Sequence, residues 1–420
     1  MRALVFDVGS SSTRAAIFDD RGRARLRSRC AYSLRTSAGQ AAELSPRQLL
    51  TAARVCFAAT GAGKYDAIGG CAFWHGLVGL DGKRRPITPI YTWADGRSRA
   101  DAARLRKKVN ENRVLQRTGC MLRFPFWPAK LRWSRRTDAI LFRRVRFWVS
   151  PSDWIFLRLF GELATSASMA SATGLWNQTT RRWDGELCAA AQIDVSQLPV
   201  VRAELVPDVF CPIGDGAAGN LGCGANAPGI AAINLGTSAA LRVMLSRKTK
   251  VPFGLFRYLV DEERYVCGGA VSNASNLFRP NDRASGGRPP RFLPERAPDW
   301  PEHRIELEGA AERPSPSADR ESLVRDSLWR IAAILHILQE RAGPVSRIIV
   351  SGGGSKSIPL LRMLAGILQR DLEIARDREA SLRGSAQYVG EKLGFTLPPL
   401  PAGSRIRSNA EERQDTFAIR

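Results

Sequence analysis

The 420-residue sequence is poor in histidine, with three, and its eight cysteines occur singly, without one C-x-x-C pair. That scarcity argues against a zinc site, which needs clustered thiolate or imidazole ligands. No apolar run reaches the ~18 residues that a membrane-spanning helix requires. An apolar strand begins almost at Met1, which leaves no room for a secretory leader. The expectation is a cytoplasmic protein with reduced thiols and no membrane partner. Acidic residues are outnumbered: 40 Asp and Glu stand against 63 Lys and Arg, a formal charge of +23. The basic residues concentrate at Arg132 to Arg146 and Arg279 to Arg296. They are interleaved with acids and lack the aromatic spacing of a base-stacking platform, so nucleic acid is not the expected partner. The bland reading is a solvated arginine-rich surface that attracts anionic substrates.

What the chain does contain is a repeated hairpin. Leu4 to Phe18 reads as two short apolar strands around Asp7 and a Gly9-Ser10-Ser11-Ser12-Thr13 turn, whose N–H and hydroxyl groups suit an anion. Ile230 to Met244 repeats the order: an apolar strand ending in Asn234, a Gly236-Thr237-Ser238 turn and a return strand. Each alone reads equally as an ordinary hairpin with a serine turn. As a pair they suggest two related domains, each presenting a phosphate loop to a shared cleft, and the length suits two domains of roughly 200 residues.

Between the hairpins, Ser45-Pro46 opens a helix, Ile68 to Phe73 reads as a buried strand ending in Trp74-His75-Gly76, and Ile87 to Ile90 as another strand. Thr92 to Arg97 then crowds polar and aromatic groups at a strand end, where α/β proteins place ligands. Residues 98 to 160 look mainly helical, with Pro125 and Pro128 as breaks, and Ser150-Pro151-Ser152-Asp153 signals a helix that Gly161 ends. The stretch 165 to 176 is small and hydroxyl-rich, suiting either a packed wall beside a cleft or a tight helix–sheet crossing. Gly214 to Gly219 formally matches G-x-G-x-x-G. However, the acid that would hold a ribose is missing, since none follows Asp215 before Asp261. Asp215 inside that turn would repel a pyrophosphate. It suits a general base, or simply forms the turn. Farther on, 279 to 302 reads as loop, 320 to 342 as a long helix stopped by Gly343-Pro344, and Arg347 to Val350 as a strand. Gly352-Gly353-Gly354-Ser355 then allows close approach by a flat ligand such as adenine. His303 and His336 read as surface or helix residues, and the residues after Pro401 carry little pattern.

Taken together, these motifs resemble the FGGY carbohydrate kinases, of the actin and hexokinase ATPase superfamily. The resemblance covers nearly the whole chain. Asp7 to Arg14 is similar to the first phosphate motif, with Arg14 where Lys is common; Asn234 to Ser238 to the second; Ser351 to Ser355 to the adenosine motif. Gly214-Asp215-Gly216 falls where the family carries its catalytic aspartate. Phe73-Trp74-His75, Thr92 to Arg97, Thr118-Gly119-Cys120 with Lys130-Leu131, Ser168 to Leu175 and Gly268 to Asn273 resemble gluconate-type members. The chain departs from the family in its length, in a contraction between Pro199 and Asp215, and in Pro294 where Gly is expected.

The resemblance implies an α/β protein of two actin-like, ribonuclease H-like ATPase domains with a cleft between them. These are 1–227, carrying sugar and catalytic Asp, and 228–400, carrying nucleotide, followed by a tail at 401–420. It implies ATP and Mg²⁺, with Asp7 holding the metal. Gly9, Ser10, Ser11, Ser12, Arg14, Gly236, Thr237 and Ser238 would hold phosphates, Gly352, Gly353, Gly354 and Ser355 the adenosine, and Asp215 would accept the acceptor's proton. Trp74, His75, Trp93, Asp95 and Arg97 are the expected sugar contacts, because rings pack on C–H faces while carboxylate and guanidinium bind hydroxyls or a sugar carboxylate. The expected substrate is a sugar acid, D-gluconate first, with neutral sugars and polyols as the alternative; homodimerisation stays open. Retention of Asp7 and Asp215 favours an active kinase over a binding protein that has lost turnover. The missing ribose acid argues against a dinucleotide oxidoreductase.

Overall fold

A computed structural model describes residues 1–37, 40–61, 63–236, 238–271, 320–377 and 379–408. Thr237, Ser272-Asn273, the 279–302 loop with Pro294, His303 and the end of the tail lie outside the described residues. The chain divides into two compact units. One comprises Met1–Gly222, Phe256–Val266 and Glu379–Pro399, the other Cys223–Leu255, Cys267–Arg378 and Leu400–Arg420.

In the first unit the expected hairpin is present as β1 (Arg2–Val8) and β2 (Ser12–Asp19), antiparallel with Asp7 opposite Arg14. The strand β3 (Ala24–Ala31) extends it, and helix α1 (Pro46–Gly61) leads to β4 (Ala67–Ala72), which lies parallel to β1. β1 is buried on both faces after its first residue. This is why Leu4, Val5 and Phe6 read as one apolar run rather than an alternation. Phe6 meets Phe57 of α1 on one side, at 6.0 Å between ring centroids. Beyond β4, the region 98 to 160 is helical in pieces. Pro128 stands in the first turn of α2 (Trp127–Thr137) instead of breaking it, because a first-turn residue has no helical N–H partner to lose. α3 (Pro151–Phe160) carries the expected Ser150–Asp153 capping box and ends at Gly161 with φ 86°. The Ile87–Ile90 strand shortens to Ile90–Tyr91, since Pro89 cannot donate to a ladder. The short helix α4 (Ala167–Ser171) precedes β5 (Glu204–Val206), β6 (Val209–Phe210) and β7 (Ile213–Gly214). The sheet order is β5-β6-β4-β1-β2-β3, with β7 also pairing β4.

Asp215 does not sit inside a turn. It is the first residue of helix α5 (Asp215–Cys223), which leads from the first unit into the second. There β8 (Ile230–Leu235) and β9 (Ala239–Leu245) form the second hairpin, antiparallel from Leu235 opposite Ala239. They are followed by β10 (Tyr265–Val271), helix α6 (Arg320–Ala342), β11 (Arg347–Ser351), helix α7 (Ile358–Leu368), β12 (Leu372–Ile374) and β13 (Arg405–Ile406). Within the sheet β10, β9, β8, β11, β12 and β13 lie side by side in that order. In both units, an antiparallel hairpin runs out from a central strand, and a parallel strand lies on that strand's other side. The chain then returns to the first unit as α8 (Ala380–Lys392), packed on β1 and β4.

The return of α8 explains Gly222, the last glycine of α5. A Cβ on Gly222 of α5 would stand 1.7 Å from the Ala380 carbonyl oxygen, and a Cβ on Gly384 of α8 would stand 1.7 Å from that of Ala218. The two helices cross backbone to backbone, so Gly222 and Gly384 are packing positions. None of the eight cysteines, all among the described residues, forms a disulfide. Among the described residues no helix is long and apolar enough to cross a membrane.

Candidate active site

Asp7 on β1 is level with Cys71 on β4, and Ile213 on β7 is level with Cys71 from the other side. Asp215, two residues beyond Ile213, therefore emerges from the same sheet edge as Asp7. Both carboxylates act on the Cys71 thiol between them: burial, then Asp7, and to a lesser extent Asp215 push its pKa well above the usual thiol range. Asp7 is 3% exposed, and its carboxylate is paired with Arg14, which also pairs with Glu379 at the start of α8. Burial alone would lower the Arg14 pKa, but Asp7 and Glu379 outweigh it and hold the guanidinium above its ordinary value. The adjoining turn is closed by Gly9 N–H donating to the Ser12 carbonyl at 3.0 Å. Tyr32 braces it from behind, its hydroxyl donating to the Gly9 carbonyl and its N–H to that of Ser11. Ser12 is buried by this arrangement, Ser10 half-buried and Ser11 exposed.

Trp74 and His75 follow β4. The indole lies so close to Gly214 that a Cβ there would be 1.9 Å from the ring, which is why glycine precedes Asp215. Tyr258 packs its edge against Trp74 at 4.9 Å and against His75 at 5.7 Å. His75 has φ 65°, an uncommon conformation for a side-chain-bearing residue. Its Nδ1 lies 2.8 Å from the Ala172 carbonyl oxygen, which only accepts, so Nδ1 carries the proton. The hydroxyl-rich stretch underlies the Asp215 strand: Ser168 Oγ accepts from Gly214 N–H at 3.1 Å, and Ser166 Oγ donates to the Pro212 carbonyl at 2.6 Å.

In the next turn, Trp93 is half-buried and Asp95 is 2% exposed. Arg97 grips Asp95 through Nε at 3.0 Å and through its terminal nitrogen at 2.5 Å, and it pairs with Glu43 as well. Its guanidinium stacks over Trp133 at 4.3 Å. Burial opposes the Arg97 charge, yet the two carboxylates raise its pKa. Lys130 of α2 links this turn to His75. Its Nζ donates to the His75 carbonyl at 2.6 Å and to the Thr92 carbonyl at 2.7 Å.

In the second unit Asn234 of β8 is level with Ser351 of β11, so the second hairpin turn and the glycine turn lie side by side. Gly352, with φ 89°, touches β8: a Cβ there would be 2.6 Å from the Leu235 carbonyl oxygen. Gly236 N–H donates to the Ser238 carbonyl at 2.9 Å. Ser355 closes the other turn, its N–H and Oγ donating to the Gly352 carbonyl at 3.2 and 2.7 Å. Gly352 and Gly353 are exposed and Gly354 is buried.

Comparison with known proteins agrees with this geometry. The N-terminal domain of the FGGY family of carbohydrate kinases matches residues 2–240, and its C-terminal domain matches 288–388. The chain belongs to the FGGY family of carbohydrate kinases. This FGGY kinase is 25% identical to the gluconokinase of Bacillus subtilis (strain 168) over 444 aligned residues, covering 91% of this chain and 86% of that one. It is 28% identical to the xylulose kinase of Streptomyces rubiginosus over 425, covering 92% and 87%. The structure superposes on that of gluconate kinase from Lactobacillus acidophilus with a TM-score of 0.81 at 22% identity, over 99% of this chain and 95% of that one. The two-domain actin-like fold follows from that match.

The donor set of the FGGY kinase fits Mg²⁺. Among the described residues no three His, Cys, Asp or Glu side chains converge. Mg²⁺ needs no such cage, being held by one or two carboxylates with water and phosphate oxygens. Sequence reasoning missed Glu379, Tyr258 and the bracing Tyr32. The first two reach the site because 256–266 and 379–399 return to the first unit, and no local pattern announces such a return.

Proposed function

We propose that this kinase transfers the γ-phosphoryl group of ATP to a hydroxyl of a small sugar, with Asp215 accepting that hydroxyl's proton. The observation that carries the reading is the emergence of Asp7 and Asp215 from one sheet edge, on strands that flank β4. Phosphoryl transfer is a matter of positioning and charge neutralisation. Mg²⁺, held at Asp7 through water, would neutralise charge on the transferring phosphoryl group. Gly9 to Ser12 and Gly236 to Ser238 would offer N–H and hydroxyl donors to phosphate oxygens, and Gly352 to Ser355 an open floor for the adenosine. Asp215 orients the acceptor hydroxyl and takes its proton late in the transfer. Trp74 and His75 present ring faces and edges to the sugar, with Trp93, Asp95 and Arg97 supplying the second wall.

D-Gluconate is the acceptor proposed first, on the resemblance of segments 73–75, 92–97 and 168–175 to gluconate-type kinases and on the likeness to gluconokinases. A neutral ketose or polyol is the second reading, and one observation favours it. Arg97 is already shared by two carboxylates, which leaves its guanidinium engaged rather than ready for a sugar acid. A coupled ADP-release assay across gluconate, other aldonates, xylulose, ribulose, rhamnulose and glycerol decides between them. A kcat/KM for a neutral sugar more than about tenfold above every aldonate, ~1.4 kcal/mol of transition-state binding, refutes the sugar acid. Calorimetry that found no Mg²⁺-dependent binding of an ATP analogue would refute the nucleotide site.

A further inference from the structure

We infer that Lys130 is a positioning residue for the acceptor sugar, the buried amine that fixes the His75 turn and the Thr92 turn in one geometry. The inference rests on the sugar-contact reading above and names the group that holds those contacts in place. All five contacts lie on two short turns that the sequence separates, Trp74-His75 on one and Trp93, Asp95, Arg97 on the other. Lys130 reaches both from α2, donating to the His75 and Thr92 carbonyls at 2.6 and 2.7 Å. The same helix turn holds the first loop again three residues earlier, where Trp127 Nε1 donates to the Gly76 carbonyl at 3.1 Å. Residues three apart share a helix face, so α2 presents two donors to residues 75–76 and shares one of them with residue 92.

Two features distinguish a positioning role from plain core packing. First, the tied carbonyl belongs to His75, whose φ of 65° persists only where the surroundings impose it. Second, Lys130 is 1% exposed. Burying an ammonium is unfavourable unless it is well hydrogen-bonded, and leucine or methionine would fill the space without that penalty. Burial pushes its pKa down to about 7, with Asp95 pulling it back up and Arg97 adding to the fall.

The test is steady-state kinetics on Lys130→Gln and Lys130→Met with the best sugar from the substrate screen, alongside sugar binding read from tryptophan fluorescence without ATP. Loosening the two turns by ~1 Å should raise the sugar KM and Kd by about ten- to a hundredfold, with the KM for ATP within about twofold. Gln, which keeps one amide donor, should fall between Met and wild type. A merely structural role would shrink the active fraction, lowering the apparent kcat while leaving the sugar KM alone, and that result overturns the inference. So does failure of both variants to fold. Asp95→Asn is the control for the contact reading. If Asp95→Asn leaves the sugar KM unchanged, the contact set is wrong. If it raises KM while the Lys130 variants do not, only the role of Lys130 fails.

Discussion

Replacing Gly384 by alanine tests whether the crossing of α5 and α8 sets the position of Asp215. The new Cβ would stand 1.7 Å from the Ala218 carbonyl oxygen, so restoring an ordinary separation of about 3.5 Å parts the helices by roughly 2 Å at that point. Neither partner is a flexible side chain end, so backbone must move. Overpacking of this kind costs about 3 kcal/mol or somewhat more, and the better helix propensity of alanine returns at most ~1 kcal/mol. A net loss of about 2 kcal/mol corresponds to a Tm lower by about 4–8 °C for a unit of this size. Ala218 lies three residues after Asp215 on the same helix, so much of the displacement reaches the carboxylate. A shift near 1 Å is worth about 10²-fold in rate. Gly219→Ala is the matched control, since a Cβ there meets nothing within 4 Å; it should raise Tm slightly and leave turnover unchanged. Thermal unfolding and the ADP-release assay read both variants. A Gly384→Ala enzyme with wild-type Tm and kcat, or a Gly219→Ala enzyme as damaged as Gly384→Ala, refutes the reasoning.

Asp215→Asn should leave ATP binding nearly intact and lower turnover by about 10² to 10⁴, the worth of a positioned base; near-native rates would return Asp215 to a structural role. Asp7→Asn should shift the Mg²⁺ dependence of turnover to higher concentration, and an unchanged Mg²⁺ titration removes Asp7 from the metal site. Lys130 has a folded pKa of about 7, below its unfolded value near 10.5. Above pH 7 the unfolded chain therefore binds more protons, and this residue adds stability as pH rises toward 10.5. Chemical denaturation of wild type and Lys130→Gln between pH 6 and pH 10 should show the wild type gaining relative to the variant; a difference that is flat with pH contradicts a buried, titrating lysine.

What the sequence revealed was what local pattern encodes. An apolar strand, a carboxylate and a Gly-hydroxyl turn occupy a dozen consecutive residues, so both hairpins were legible, as were the α3 cap at Ser150 and the long α6. The turns bearing Trp74, His75, Asp95 and Arg97 were legible for the same reason. Their partners were not. Glu43 meets Arg97 from 54 positions away, and Glu379 meets Arg14 from 365. The glycines from Gly214 to Gly219 formally match a dinucleotide fingerprint, and Gly222 shows why such a match misleads: close approach by a ligand and close approach by a helix demand the same residue. Only the location of α8 separates the two cases.

That location also sets an order of events at the ribosome. The first unit acquires its last helix from residues 379–399, and its main segment ends at Gly222. The nascent N-terminal half must therefore wait for 177 further residues (399 − 222). At about 5–20 residues per second this takes about 9–35 s. Throughout that interval the β1–β4 face and the glycine face of α5 lack the helix that covers them in the finished protein. The half-chain bearing both acids is thus incomplete when its last strand is made, and synthesis of the second unit is a timed step in completing the first.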